Sequence, residues 1–214
     1  MKLNNKRTIL VGLAFLSICA FWQMYDSVVP LILTKTFHMN ETFSGAIMAA
    51  DNILALFLLP FFGSLSDRSH SKIGKRMPFI LFGTGCAVIL MNILPLLDNS
   101  YAAQPSGLKT ASFVIVLGLL LVAMGTYRSP AVALMPDVTP KPLRSRANAI
   151  INLMGAVGGI LYLGVAAVLY PNSKTAGLDH VNYQPLFIVV SAIMFIAIAI
   201  LFLTVKEPKL TAEN

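Results

Sequence analysis

Six continuous apolar runs dominate the sequence. Each is long enough to cross the hydrocarbon core of a membrane as a helix, which takes roughly 20 residues. The runs lie at about 8–33, 42–65, 77–97, 110–136, 147–170 and 185–205. They do not alternate between polar and apolar residues, so helices rather than barrel strands are expected to satisfy the backbone hydrogen bonds. We therefore predict an all-α membrane protein in which residues 1–214 form a single bundle of six transmembrane helices.

The segments between the runs predict the orientation of the bundle. Alternate segments carry either many basic residues or few, and loops rich in Lys and Arg stay in the cytoplasm. The set with few basic residues holds only Lys35, Lys109 and Lys174. The rich set holds Lys2, Lys6, Arg7, Arg68, Lys72, Lys75, Arg76, Lys141, Arg144, Arg146, Lys206 and Lys209. Both termini are therefore expected on the cytoplasmic side of a cell membrane, most simply a bacterial-type inner membrane.

Composition excludes several function classes. The net charge of +7 is accounted for by topology and contact with lipid headgroups, which leaves no basic face for nucleic acid. Cys19 and Cys86 both fall inside apolar runs and cannot build a disulfide or metal framework. No arrangement of His or Cys suits an intramembrane enzyme, and His180, like the other two histidines, lies in a loop. We expect neither enzymatic activity nor a cofactor or metal.

Three ionisable residues lie well inside the runs: Asp26, Asp51 and Arg128. A charge at a helix centre costs about 3 kcal/mol on insertion scales, but a run with a dozen large apolar residues still inserts. Such residues usually face a bundle interior or a watery cavity and mark a solute or ion pathway. The alternatives are a structural ion pair or a side chain that reaches the interface. A lone acid such as Asp51 is a natural site for a proton or cation.

Depth along the helices leaves the position of Arg128 open. At 1.5 Å per residue, Asp26 and Asp51 can share a level, whereas the Cα of Arg128 lies about 12 Å deeper than that of Asp51. A direct Asp51–Arg128 pair is therefore not assumed. Arg128 either extends toward the cavity, where Tyr127 would line the same space, or leans toward Asp137 at the cytoplasmic end.

Polar and aromatic neighbours favour a cavity that binds a polar solute. Trp22, Gln23 and Asp26 share one face of the first helix, which offers an indole ring beside polar groups. Asn52 follows Asp51, and Asn148 and Asn152 stack one turn apart in the fifth run. These asparagines either contact the solute or only join helices. Gly155 and Gly159 continue that line with a spacing that permits close helix contact.

The most specific stretch is "GSLSDRSHSKIGKRMPFI" at 63–80. It resembles the loop signature of the major facilitator superfamily between the second and third helices. The longer spacing resembles the glycoside–pentoside–hexuronide:cation symporters and the related sucrose-type transporters. The stretches at 22–30 and 126–159 resemble the first helix and the connection between helices 4 and 5 of the same group. The resemblance implies a secondary transporter with two six-helix halves, each a repeat of three plus three helices, working by alternating access.

The resemblance also implies roles for individual residues. The cytoplasmic gate motif corresponds to Gly63, Asp67, Arg68, Gly74, Lys75 and Arg76, together with the cluster Asp137, Arg144 and Arg146 after the fourth helix. The alternative is a set of solvated charges that only signals topology. In melibiose-permease-like relatives the cation-binding acids of the second helix fall at Ala55 and Leu59 of this sequence, and Asp51 lies a turn earlier. A proton is therefore favoured over sodium.

The expected function is sugar or glycoside:proton symport. The expected partners are the lipid bilayer, a small solute, a coupling cation and a second six-helix half, supplied by a missing C-terminal half or by a second half-size chain. Trp22, Gln23, Asp26, Asn52, Tyr127, Arg128, Asn148 and Asn152 are the candidate solute-binding residues, with Asp51 and Asp26 for cation coupling. A drug or organic-anion exporter of the same superfamily is one alternative, in which Arg128 would balance an anion. A membrane scaffold without transport activity is another, although it would have no need of three buried charges.

Overall fold

The structure is a computed structural model that describes residues 4–206. Lys2 and Lys209, two of the residues that predict orientation, lie outside this range. The helices are α1 (Asn5–Leu31), α2 (Glu41–Asp67), α3 (Met77–Ala103), α4 (Gly107–Val138), α5 (Arg144–Leu169), a short α6 (Asn172–Thr175) and α7 (Gln184–Thr204). A π-helical segment, Ile32–Thr36, extends α1, and a 3-10 turn, Lys141–Leu143, precedes α5. All but α6 are long and apolar enough to cross a membrane.

Local signals explain where several helices begin. The side chains of Asn4 and Asn40 cap α1 and α2 by accepting hydrogen bonds from backbone N–H groups three residues later, at 3.1 and 2.9 Å. Pro78 and Pro185 occupy the first turns of α3 and α7, where a proline costs no helical hydrogen bond. The helix α3 continues to Ala103, beyond the predicted end of its apolar run at 97. Asp98 therefore belongs to a membrane-spanning helix.

The helix contacts follow the symmetry of a three-plus-three repeat. α1 packs against α5 and α7, and α4 packs against α2 and α3. Exchanging the first three long helices with the last three converts the α1–α5 contact into the α4–α2 contact and the α1–α7 contact into the α4–α3 contact. The remaining large contact, between α3 and α7, maps onto itself. The bundle therefore has the repeat architecture that the resemblance implies.

The core lies between α1, α3, α4 and α7. Large side chains with almost no exposure fill it, including Phe21, Tyr25, Met91, Phe113 and Phe187. The helix α2 differs, because Ser44 and Ser66 are its only buried residues and many of its large apolar side chains are exposed. The face of α5 away from α1 is also exposed, for example at Leu153 and Ile160.

Glycines let neighbouring helices approach closely at two points. A Cβ added at Gly158 would overlap the carbonyl oxygen of Leu16, so α5 can lie this near α1 only without a side chain there. A Cβ at Gly83 would lie 2.7 Å from the backbone nitrogen of Tyr127, which brings α3 against α4 in the same way. Gly159, expected to share the close contact with Gly155, has room, because a Cβ added there would lie 3.9 Å from the side-chain oxygen of Gln23. Gly158 takes its place because it faces α1.

The two ends of the bundle differ in their charges. One end, called here the basic end, contains residues 4–7, 66–77, 137–146 and 204–206. The other, called the far end, contains residues 32–41, 98–109 and 170–184. Each end holds its own group of interacting polar side chains, and the pocket described next lies between them.

Candidate functional site

A pocket opens between α1, α2 and α4 at the level of two of the predicted intramembrane charges. Its cavity volume is about 20 Å³, room for about one water molecule. Sites for small molecules usually measure roughly 300–1,000 Å³, so the residues that line this pocket form one wall of such a site and do not enclose a solute by themselves. Its lining combines one indole, one acid, one guanidinium and apolar groups: Trp22, Asp51, Leu54, Ala55, Leu58, Leu59, Leu121, Gly125 and Arg128.

The guanidinium of Arg128 lies over the indole ring of Trp22. Its central carbon is 5.5 Å from the ring centroid, within the range of a cation–π interaction. The indole Nε1 is buried and has no hydrogen-bond partner among the described residues. Arg128 thus extends toward the pocket, one of the two positions that the depth estimate left open. The alternative was that Arg128 leans toward Asp137. In the structure Asp137 pairs with Lys75 and Arg76 instead.

Asp51 faces the same pocket from α2. One carboxylate oxygen accepts hydrogen bonds from the backbone nitrogen and the side-chain nitrogen of Asn52, at 2.6 and 2.9 Å. Among residues 4–206 no ion pair joins Asp51 to Arg128, although both line the pocket. The exposed carboxyl of Asp26 on α1 is close enough for the charge of Asp51 to act on it. The two acids therefore belong to one electrostatic environment.

Several predicted solute-binding residues do not line this pocket. Gln23 and Asp26 are exposed on α1, and Asn148 and Asn152 are exposed on α5. The amide of Gln23 lies beside Gly159, so the polar face of α1 continues toward α5. These side chains flank the pocket on an open surface of the bundle.

Tyr127 departs from the expectation that it lines the cavity with Arg128. Its side chain is fully buried between α4 and α1. The hydroxyl donates to the carbonyl oxygen of Ala14 at 2.9 Å and lies 2.5 Å from the hydroxyl of Ser17. The cause is helix rotation, since consecutive residues point about 100° apart around a helix. Arg128 and Tyr127 therefore face different neighbours.

A charged network joins α2, α3 and α4 at the basic end. The side chain of Arg76 is only 6% exposed, and its Nε is 3.0 Å from a carboxylate oxygen of Asp137. The same guanidinium pairs with Asp67 and donates to Ser66 at 2.6 Å and to the carbonyl of Gly63 at 3.3 Å. Lys75 adds contacts of 3.3 Å to Asp137 and 3.8 Å to Asp67. These charges are thus paired and partly buried rather than simply solvated.

Comparison with known proteins identifies the family. The family model described as Major Facilitator Superfamily matches residues 11–214. The chain belongs to the major facilitator superfamily. It is 35% identical over 145 residues to a sucrose transport protein of Arabidopsis thaliana, which is 62% of this chain and 24% of that protein.

Two further relatives extend the picture. A sucrose transport protein of Oryza sativa subsp. indica is 33% identical over 141 residues, 59% of this chain and 28% of the relative. The alpha-ketoglutarate permease of Escherichia coli K12 is 26% identical over 179 residues, 82% of this chain and 38% of the permease. The chain thus matches well under half the length of each relative. It is a multi-pass membrane protein of a transporter family.

The remaining residues of the superfamily motif have separate roles. Gly74 has a φ of 113°, which favours glycine, and it turns the loop that delivers Lys75 and Arg76 to the network. Arg144 donates to the carbonyls of Thr139 and Pro136, so it caps the end of α4 and does not pair with Asp137. Arg68 and Arg146 are exposed. The acid-and-base cluster expected at Asp137, Arg144 and Arg146 is therefore centred on Arg76.

The structure contains one polar pair that was not predicted from the sequence. At the far end, Asp98 of α3 is completely buried, and an oxygen of its carboxylate lies 3.8 Å from Nδ1 of His180. The apolar run appeared to stop at residue 97, and histidine spacing gave no sign of a site. The sequence signal that points to Asp98 is a single acid directly after a long apolar run. Helices commonly continue past the apolar stretch, so such an acid can lie within the helix.

Proposed function

We propose that this chain forms the N-terminal half of a twelve-helix carrier that moves a sugar or glycoside across a cell membrane together with a proton, by alternating access. The observation that supports this most is the meeting of Trp22, Asp51 and Arg128 around one pocket. An aromatic face beside a few convergent polar groups is typical of sites that bind polar solutes. The similarity to sucrose transport proteins supports a sugar as the solute.

Asp51 is proposed as the proton-coupling group, with Asp26 as its neighbour. Asp51 lies in the pocket wall and makes no ion pair among the described residues, so a change in its protonation state changes the charge that the solute meets. Sodium is less suitable, because Ala55 and Leu59 offer no oxygen ligand where related symporters carry acids.

The network around Arg76 is proposed as the gate on the cytoplasmic side, with the basic end of the bundle in the cytoplasm. The buried Arg76 joins α2, α3 and α4 through Asp67 and Asp137. Because it is paired in this arrangement, its bonds hold the basic end of the three helices together. Transport would require these bonds to break and re-form as one half rocks against the other.

A second six-helix half is proposed as the partner, facing the surface formed by α1, α2 and α5. Polar side chains are exposed there at membrane depth, among them Asp26, Asn148 and Asn152. Facing lipid they would be costly, whereas a partner half would enclose them around a water-filled cavity. A C-terminal half on the same polypeptide or a second half-size chain would both supply such a partner.

An organic anion is the second candidate solute. The alpha-ketoglutarate permease matches a larger share of this chain than either sucrose transport protein does. Arg128 is the only basic residue in the pocket, and it has no acidic partner among the described residues. It could therefore balance a carboxylate, and competition between sucrose and 2-oxoglutarate for uptake distinguishes the two solutes.

The test is uptake by proteoliposomes that contain the complete carrier, with both halves present. We expect labelled sucrose to accumulate under an imposed proton gradient and not under a sodium gradient. Asp51→Asn is expected to abolish accumulation but to leave some solute exchange, because exchange needs no net proton movement. Asp179→Asn, which removes an exposed loop carboxylate, serves as the matched control and should transport normally. Full accumulation by the Asp51 variant would refute its coupling role.

The role of Arg128 is tested by the same preparation. Arg128→Ala is expected to weaken solute binding at least about tenfold, the effect of losing roughly 1.4 kcal/mol of contact. Unchanged affinity would remove Arg128 from the solute site. Failure of the complete carrier to move any sugar or organic anion would leave the scaffold as the better description.

A further inference from the structure

The far end of the bundle holds a buried acid that the proposed transport site does not use. Asp98 on α3 has no exposed surface, and neither of its oxygens has a described hydrogen-bond partner within 3.5 Å, although the hydroxyl of Thr36 lies beside it. An ionised carboxylate in such surroundings costs several kcal/mol unless another charge or donor compensates it. The only described ion-pair partner of Asp98 is His180, whose Nδ1 lies 3.8 Å from Oδ2. The site therefore favours a proton on or beside Asp98.

The hydrogen bonds around His180 indicate which ring nitrogen exchanges that proton. Nε2 lies 3.0 Å from Oδ1 of Asn99, and Nδ1 lies 3.1 Å from the hydroxyl of Thr36. The side-chain nitrogen of Asn99 donates to Oδ1 of Asn182, so its oxygen faces His180 and can only accept. Nε2 must then carry a hydrogen. Nδ1, the remaining ring nitrogen, lies 3.1 Å from the hydroxyl of Thr36 and 3.8 Å from Oδ2 of Asp98, so it is the ring position open to a further proton.

The other titratable groups nearby do not compete for this proton. Burial, and then the charge of Asp98, raise the pKa of Tyr183 in the loop before α7, so its hydroxyl stays neutral. Burial also raises the pKa of Tyr170. From the α4 side, Lys109 donates to the carbonyls of Ser100 and Gln104. The extension of α1 presents the neutral Thr36 to the pair.

We propose that Asp98 and His180 form a second proton-binding site, which holds one proton between them and latches the loop at 170–183 onto α1 and α3. The latch joins three segments, because His180 bonds to Thr36 on the extension of α1 and to Asn99 on α3. Tyr170 ties the end of α5 to the same loop by donating to the carbonyl of Asn182 at 2.8 Å. The site is separate from the pocket of Asp51, so it does not depend on the identity of the solute.

The number of bound protons controls the latch. With one proton, the pair is either a neutral acid beside a neutral imidazole or a carboxylate beside an imidazolium, and both arrangements are compensated. Loss of the proton to water at high pH leaves a buried carboxylate facing a neutral ring. Opening of the loop then relieves the cost by hydrating the carboxylate. The loop is therefore more open above the pH at which the proton leaves.

Hydrogen exchange of the backbone amides in 172–183 tests the latch on the intact protein in lipid nanodiscs. Rates measured from pH 5 to 9 are corrected for intrinsic exchange, with the exposed segment 104–108 as an internal reference. In the wild type, we expect exchange to become about tenfold faster on the alkaline side, the factor that corresponds to a proton affinity one pKa unit apart between closed and open loops. A corrected rate that stays constant over the whole range contradicts the proposal.

Two variants connect the effect to Asp98. Asp98→Asn carries a permanently neutral side chain of the same shape, so the loop should stay protected at alkaline pH. Asp179→Asn removes the neighbouring exposed carboxylate and should behave as the wild type does. If Asp98→Asn opens with the same pH dependence as the wild type, the proton is held elsewhere and the proposal fails.

A variant of the other partner keeps the test decisive if Asp98→Asn does not fold. In His180→Gln the amide can still bond to Asn99 and Thr36, but it cannot hold a proton. Asp98 alone must then retain the proton, so the midpoint of loop opening should move to lower pH. An unchanged midpoint in a folded His180→Gln protein would show that His180 does not share the proton.

Discussion

Replacement of Arg76 by methionine is the most informative test of the network at the basic end. Methionine keeps much of the length and apolar stem of the side chain, so the change removes the guanidinium without opening a large cavity. Breaking a buried ion pair by removing one partner typically costs about 3–5 kcal/mol. Here Asp67 is 55% exposed, and Lys75 remains 3.3 Å from Asp137. We therefore expect the lower end, a loss of about 3 kcal/mol in the free energy of unfolding.

The assay is reversible unfolding in mixed micelles, monitored by circular dichroism. Arg68→Met is the matched control, because Arg68 is exposed at the end of α2 and should change stability by less than about 0.5 kcal/mol. The double variant Arg76→Met/Asp137→Asn should lose less than the sum of the single changes, since each removes the same contact. Equal losses for Arg76 and Arg68, or strictly additive losses in the double variant, would refute the account of the network.

Two further changes test the packing that positions the pocket. Gly158→Ala places a methyl group against the carbonyl of Leu16 and should destabilise the protein by about 1–3 kcal/mol. Gly164→Ala is the control, because Gly164 has open space around it and the change should cost no stability. Equal thermal stability of the two variants would contradict the contact between Gly158 and Leu16. Tyr127→Phe removes the hydroxyl contacts to Ser17 and Ala14 and should cost about 1–2 kcal/mol of stability without changing solute affinity. Weaker solute binding at unchanged stability would instead place Tyr127 in the solute site.

The sequence predicts the helices of this protein better than the directions in which their side chains point. Long apolar runs identify spanning helices because a backbone in lipid must satisfy its own hydrogen bonds. The same uniform apolarity hides the inward face, since no polar stripe marks the opposite side. Tyr127 and Arg128 are adjacent in sequence, yet one is buried against α1 and the other lies at the pocket. Gly158 and Gly159 differ in the same way.

Local patterns also leave long-range polar contacts undetermined. The motif around Arg76 indicates a charged region, but the choice of Asp137 as a partner depends on α4 packing beside α2 and α3. The pairing of Asp98 with His180 joins residues on different segments, which spacing along the chain cannot reveal. By contrast, the pocket residues Trp22, Asp51 and Arg128 were each identifiable, because a charge or an indole inside an apolar run is conspicuous by itself.

Water accessibility of the intramembrane charges is the most direct test of the central claim, that Asp51 and Arg128 line a wet pocket and that Asp26 flanks it. Cysteines introduced singly at positions 26, 51 and 128, in a protein with Cys19 and Cys86 replaced by alanine, are treated with a hydrophilic maleimide in the assembled carrier. Position 195, an exposed apolar site on α7, is the lipid-facing control. The account predicts labelling at the three charged positions and none at 195. Three unreactive positions in every transport condition would contradict it.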